Sequence, residues 1–153
     1  MYEAFEYAAK TPLETESEYP YEAYDDSCRA VASKGVVSST TYHKVPKNSA
    51  DQLKAAIAQG PVSVGIEADT MVFQFYNGGI LNSKSCGTNL DHGVLAVGYG
   101  TDASGQDYFI VKNSWGSGWG ESGYIKIANN NKEGDAGICG IASQPSYPIM
   151  SKV

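Results

Sequence analysis

The sequence predicts an α+β chain whose larger part is an antiparallel, β-barrel-type domain with short helices. Three observations lead there. The runs PVSVGIEA, HGVLAVGYG, DYFIVKNSW and SGYIKIA are rich in β-branched and aromatic residues and are separated by Gly, Asn, Asp and Ser, the pattern of strands joined by turns. Two segments carry apolar residues at helical spacing instead. Eleven tyrosines, four phenylalanines and two tryptophans favour strands over a helical bundle. At 153 residues the chain can bury one real core, and two independent domains are not expected.

The elements follow in order. Tyr2 to Ala9, with Phe5 and Ala9 four apart, read as the end of a helix closed at Lys10-Thr11-Pro12. SEYPYEAYDDSCRA is rich in Pro, Asp and Tyr and reads as an ordered loop, after which VVSSTTYHKV alternates like a strand. Ala50 to Gln59 sets Leu53, Ala56 and Ile57 on one helical face, with Ser49 as N-cap and Gly60-Pro61 as its stop. ANNNKEGDAG is a polar loop, and there is no internal repeat, heptad run or low-complexity tract.

Charge narrows the function. Seventeen Asp plus Glu against eleven Lys plus Arg give a formal charge of −6 and a pI near 4.8, which repels a phosphate backbone and disfavours nucleic acid as a partner. No run of about eighteen apolar residues occurs, so no membrane-spanning helix is expected. The first twenty residues carry acids and lack the apolar core of a signal peptide. An address to a lysosome, another acidic vacuole or the secretory route is expected upstream.

Two histidines are present. His43 lies in TTYHKVP and reads as a strand residue; His92 lies in LDHGVLAVGYG at the mouth of an apolar strand. A lone histidine there is more often structural than catalytic. The balance shifts because Asn113 ends the strand YFIVK twenty-one residues later, a span over which a hairpin returns to its start. An asparagine carbonyl can accept the Nδ1 proton of an imidazole, fixing its orientation and leaving Nε2 to exchange a proton. Trp115 stands near enough in sequence to shield that bond. Gly116, Gly118 and Gly120 are expected in tight turns with positive φ, and Trp119 is expected to fill core. No C-x-x-C or H-x-x-x-H pair suggests zinc, and no G-x-S-x-G elbow suggests a serine hydrolase. No metal or cofactor is implied.

LDHGVLAVGYG, then YFIVKNSWGSGWGESGYIKIA, then GICGIASQPSYPI together resemble the papain and cathepsin L family of cysteine proteases, an established Cys-His-Asn system. SEYPYEAYDDSCR, QLKAAIAQGPVSVGIEA and FQFYNGGIL extend the resemblance over nearly the whole chain. It implies a papain-like fold and a cysteine-type endopeptidase in which His92 and Asn113 are catalytic and Trp115 shields the site. It implies a substrate pocket from Met1, Gly65, Leu90, Gly93 and Gln144. The small glycines with Met1 and Leu90 suit Leu or Phe, whereas Gln144 departs from the small residue of cathepsin L relatives, an amide at the pocket floor being able to accept a basic side chain.

The same resemblance exposes a deficit. The family's C-G-S-C-W-like nucleophile segment does not occur here, and Met1 aligns with an internal position. The expectation is therefore an incomplete peptidase domain over 1–153, with 1–45 the remainder of a helical half and 46–153 a β-rich half. Cys86 and Cys139 match positions bonded to each other in the family, and Cys28 matches one whose partner lies in the absent segment. None of the three opens a helix whose N-terminus would activate a thiol. Expected partners are a peptide or protein substrate, an N-terminal protease segment or light chain linked through Cys28, and a propeptide or cystatin-like inhibitor. Alone, the chain is expected to be inactive. The competing reading is an inactive papain-like module with a binding or structural role.

Overall fold

A computed structural model describes residues 1–151, which divide into two compact units, Met1–His43 with the segment from Pro148 on, and Lys44–Tyr147. Of the last described residues, Pro148–Ser151 group with the first unit.

In the first unit helix α1 (Tyr2–Lys10) and strand β1 (Ser38–Lys44) are tied by two serine hydroxyls. Ser39 Oγ donates to the carbonyl of Phe5 at 2.9 Å and Ser38 Oγ to that of Ala8 at 3.0 Å. Tyr2 stacks on Tyr42 at 5.2 Å. The segment between them is an ordered loop, as its composition predicts, with one 3-10 turn at Ala32–Lys34 and a backbone bridge from Leu13 to Val37; side chains tie it further, Glu14 accepting the N–H of Val31 at 2.7 Å and Lys34 pairing with Glu18 at 2.8 Å.

The second unit begins with α2 (Ala50–Ile57). Ser49 caps it, its Oγ accepting the N–H of Gln52 at 3.3 Å, and the Leu53, Ala56 and Ile57 face is buried. The remaining elements are β2 (Val62–Ile66), α3 (Met71–Gln74), β3 (Ile80–Leu81), β4 (His92–Thr101), β5 (Asp107–Lys112), β6 (Tyr124–Ala128) and β7 (Ser146–Ser151), of which Ser146 and Tyr147 belong to this unit. Within this unit the strands run β7-β2-β4-β5-β6-β3, all antiparallel except for β3 on β6. The chain is α+β with short helices, as expected, and its mixed sheet is open.

Alternation along β2 sends Val62, Val64 and Ile66 inward, each fully buried, to meet Phe109, Val111, Ile125 and Ile127 from β5 and β6. Each such side chain contributes about 2 kcal/mol on burial. A disulfide between Cys86 and Cys139, 53 residues apart in sequence, joins two 3-10 turns, Lys84–Cys86 and Ile138–Gly140, at the edge of this core.

Candidate active site

His92 opens β4, with Ile66 of β2 as its Cα partner. On the other side, the antiparallel register Leu95↔Lys112 carries the residue after β5, Asn113, back to the start of β4. The imidazole and the carboxamide therefore meet by strand pairing alone: His92 Nε2 lies 2.9 Å from Asn113 Oδ1. A β-bulge between Ala96 and Gly98 shifts the register of this hairpin between its turn and the pair.

Which atom donates is settled by a neighbour. The backbone N–H of Ser114 donates to the same Oδ1 at 2.8 Å, so an amide turned the other way would set donor against donor. Oδ1 is the acceptor and His92 Nε2 carries the proton. The expected use of the nitrogens is thus reversed: Nε2 is anchored, and Nδ1 is the nitrogen left to exchange a proton. The ring's direction of approach, set by the strands, decides this. Asn113 is only 8% exposed, its own N–H bonds the carbonyl of Gly123 at 3.0 Å, and its buried Nδ2 has no acceptor among the described residues.

Trp115 lies against the imidazole, ring centroids 5.2 Å apart and planes tilted by 30°. It is 42% exposed, so part of the indole meets solvent. Beneath it the fully buried Phe73 meets it edge-on at 5.5 Å, and Trp119 does so at 5.3 Å. Trp119 packs on Phe73 and Tyr76 and donates its Nε1–H to the carbonyl of Gln74 at 3.0 Å, so it belongs to the core margin. Positive φ occurs at Gly116, Gly120 and Gly123 but not at Gly118, contrary to expectation. At Gly120 a Cβ would fall 2.6 Å from the carbonyl oxygen of Tyr124, so only glycine lets that turn close under the tryptophans.

The residue before the histidine is committed elsewhere. Asp91 accepts the backbone N–H groups of Ala68 at 2.8 Å and Asp69 at 3.2 Å. Asp69 has its carboxyl raised above the ordinary aspartate value, first by desolvation and then by the negative charges of Asp91 and Glu67.

Of the expected pocket residues, Gly65, Leu90, Gly93 and Gln144 lie in the second unit and Met1 in the first. Gly65 and Gly93 are Cα partners across β2 and β4. A Cβ on Gly65 would sit 3.2 Å from Leu90 Cδ1, and one on Gly140 would sit 2.7 Å from Leu90 Cδ2. Gly65, Leu90 and Gly93 therefore come together, joined by Gly140. Gln144 is exposed just before β7. Met1 is the N-cap of α1 in the first unit and 39% exposed. Cys28, also in the first unit, is an exposed free thiol.

Three contributors escaped the reading of the sequence. The Ser114 N–H is invisible to side-chain patterns, and Gly140 is one glycine among seventeen. Phe73, buried together with Tyr76 of FQFY, lies on a four-residue helix too short for its periodicity to stand out.

The family profile of the papain family cysteine proteases matches residues 1–149. Over 150 residues the chain is 49% identical to cysteine proteinase RD21A of Arabidopsis thaliana, covering 97% of this chain and 32% of that protein. It is 48% identical over 140 residues to cathepsin L of Sarcophaga peregrina, covering 90% of this chain and 40% of that one. The chain thus spans well under half the length of either relative. Among solved structures it matches the bromelain protease of Ananas comosus, in complex with the E64 inhibitor, with a TM-score of 0.90 and 38% identity, covering 98% of this chain and 69% of that one. Digestive procathepsin L 3 of Tenebrio molitor matches with a TM-score of 0.89 and 46% identity, covering 97% and 48%. With the profile spanning nearly its whole length, the chain belongs to the papain family of cysteine proteases.

Proposed function

We propose that His92 and Asn113 are the proton-handling half of a cysteine endopeptidase site, and that its thiol comes from outside these 153 residues, on an N-terminal segment or companion chain. The contact of His92 Nε2 with an oxygen already held by the Ser114 N–H carries this reading, because it leaves one ring nitrogen, Nδ1, for chemistry.

The thiol gives its proton to Nδ1 and the sulfur attacks the carbonyl carbon of a peptide. As the C–N bond breaks, Nδ1–H passes its proton to the leaving amine and an acyl-enzyme remains. A water then attacks the acyl carbon, losing a proton to Nδ1, and that proton returns to the sulfur as the acid leaves. Asn113 holds the ring in place throughout, and Trp115 keeps water from competing for Asn113 Oδ1.

Gly65, Leu90 and Gly93 form one wall of the pocket for the residue preceding the scissile one, and its apolar lining suits Leu or Phe. Gln144, exposed at the following segment, adds an amide that tolerates a basic side chain. The acidic balance of the chain, −6, accords with work in an acidic vacuole or after secretion, where carboxylate protonation lowers self-repulsion. A propeptide or cystatin-like inhibitor is a further partner; one structural relative, the Amb a 11 cysteine protease, was solved in its proform.

A thiol-directed epoxide tests the reading. Incubated with the protein isolated from its native source and mapped by mass spectrometry, it should label a cysteine outside these residues and leave Cys28 unmodified. Exclusive labelling of Cys28 contradicts the proposal.

A further inference from the structure

We propose that the second unit carries another binding site, for a small amphipathic carboxylate, in the cavity beside the Cys86–Cys139 disulfide. The cavity measures about 450 Å³, a size that takes a small organic ligand. None of His92, Asn113 and Trp115 lines it, so it is separate from the site above.

Its floor is apolar and preformed. Phe109, Ala128, Ile138, Ile141 and Ala142 line it, and none is more than 7% exposed. They are held by the sheet on one side and by the disulfide-tethered turn on the other.

Its rim is polar, with Lys84, Asn130, Asn131, Lys132 and Asp135. Lys132 Nζ lies 3.4 Å from Asp135 Oδ2. Asp135 is held below the ordinary aspartate value by the N–H of Gly137 first, then by Lys132, with Lys84 adding its charge. Lys132 thus holds one oxygen of a carboxylate whose other oxygen is already bonded to the Gly137 N–H at 3.0 Å, and Lys84 lines the same cavity as a second ammonium group. One positive charge is left over at the mouth of an apolar cavity, in a chain whose net charge is −6. Glu133, in the same loop, does not line the cavity and faces the backbone N–H of Asp51. Asn131 is committed to Asp107 and Asn129, whereas the Asn130 side chain reaches, among the described residues, only Asn82, at 3.5 Å, and has an amide hydrogen to offer.

This combination selects one ligand chemistry. An apolar body fills the floor while a single anionic group sits among the two lysines and the Asn130 amide. A neutral ligand leaves the excess charge uncompensated, and a dianion meets the Asp135 carboxylate.

The test is a titration of the ¹⁵N-labelled full chain with naphthalene-2-carboxylate, against its neutral analogue naphthalene-2-carboxamide, followed by amide chemical shifts. The carboxylate should shift Asn130, Lys132, Ile138 and Ala142 saturably, with His92 and Asn113 unmoved. The carboxamide should bind about tenfold more weakly, and the exposed double variant Lys84→Glu/Lys132→Glu should weaken the carboxylate by at least about as much. No saturable shift, shifts centred on His92, or equal affinity for the two ligands or for the variant would overturn the proposal.

Discussion

His92 Nε2 reaches Asn113 Oδ1 at 2.9 Å while the Ser114 N–H holds the same oxygen at 2.8 Å. The imidazole is thereby locked with Nδ1 outward, and removal of the carboxamide should be felt first in the ring. In Asn113→Ala the ¹⁵N shifts of His92 should change from a fixed Nε2–H tautomer to a mixture. Turnover in the complete protease should fall roughly 100-fold with little change in KM, the usual cost of a misplaced catalytic group. An unchanged tautomer would show that Asn113 does not orient the ring.

The two tryptophans should separate by readout. Trp119 packs on Phe73 and Tyr76 and spends its N–H on Gln74, so Trp119→Ala should cost about 3 kcal/mol of stability in chemical denaturation. Trp115 is 42% exposed and rests on His92 and Phe73, so Trp115→Ala should cost only about 1 kcal/mol yet lower turnover more than Trp119→Phe does. Equal stability losses would refute this division of roles.

The disulfide closes a loop 53 residues long in sequence. Loop-closure entropy then gives about 4 kcal/mol of stabilisation of the oxidised chain, which the double variant Cys86→Ala/Cys139→Ala should lose. Nonreducing peptide maps should show Cys86 joined to Cys139. A Cys28 link to either would be incompatible with the fold described.

Stability should respond to pH in two opposed ways. Asp102 and Asp107 are held below the ordinary aspartate value, by the hydroxyls of Ser104 and Thr101 first, and Glu121 is held below the ordinary glutamate value by Lys126 first. Their folded forms bind protons less readily, so their contribution is present above the unfolded pKa values and is lost as pH falls through the folded ones. Asp69 is raised, so its folded form binds a proton more readily and stability falls as pH rises from the ordinary aspartate value through the raised one. Thermal unfolding of Asp69→Asn should remove that fall near pH 4 and above, while Glu121→Gln should flatten the acid side. Superimposable profiles for all three proteins would contradict both assignments.

Much of this fold was legible where the determining forces are local. Ser49 and the Leu53, Ala56, Ile57 stripe announced α2, and alternation announced β2, β4, β5 and β6. What escaped depends on partners distant in sequence. Ile80 and Leu81 form β3 only because β6 offers a parallel edge, and β7 contains Pro148, which disguises a strand. At the site, spacing paired His92 with Asn113, but no pattern tells which ring nitrogen faces the amide. Gly118 lacks the positive φ of Gly116 and Gly120, because composition does not distinguish one glycine of a turn from the next.

The central claim is that these residues hold the base and its orienting amide while the nucleophile lies elsewhere. The most direct measurement is hydrolysis of a Phe-Arg amide at acid pH with added thiol, by the 153-residue chain alone and by the protein assembled with its thiol-bearing segment. No cleavage by the first, cleavage by the second, and loss of that cleavage in His92→Ala are the predicted results; cleavage by the chain alone, or full activity of the assembled His92→Ala protein, would contradict the account.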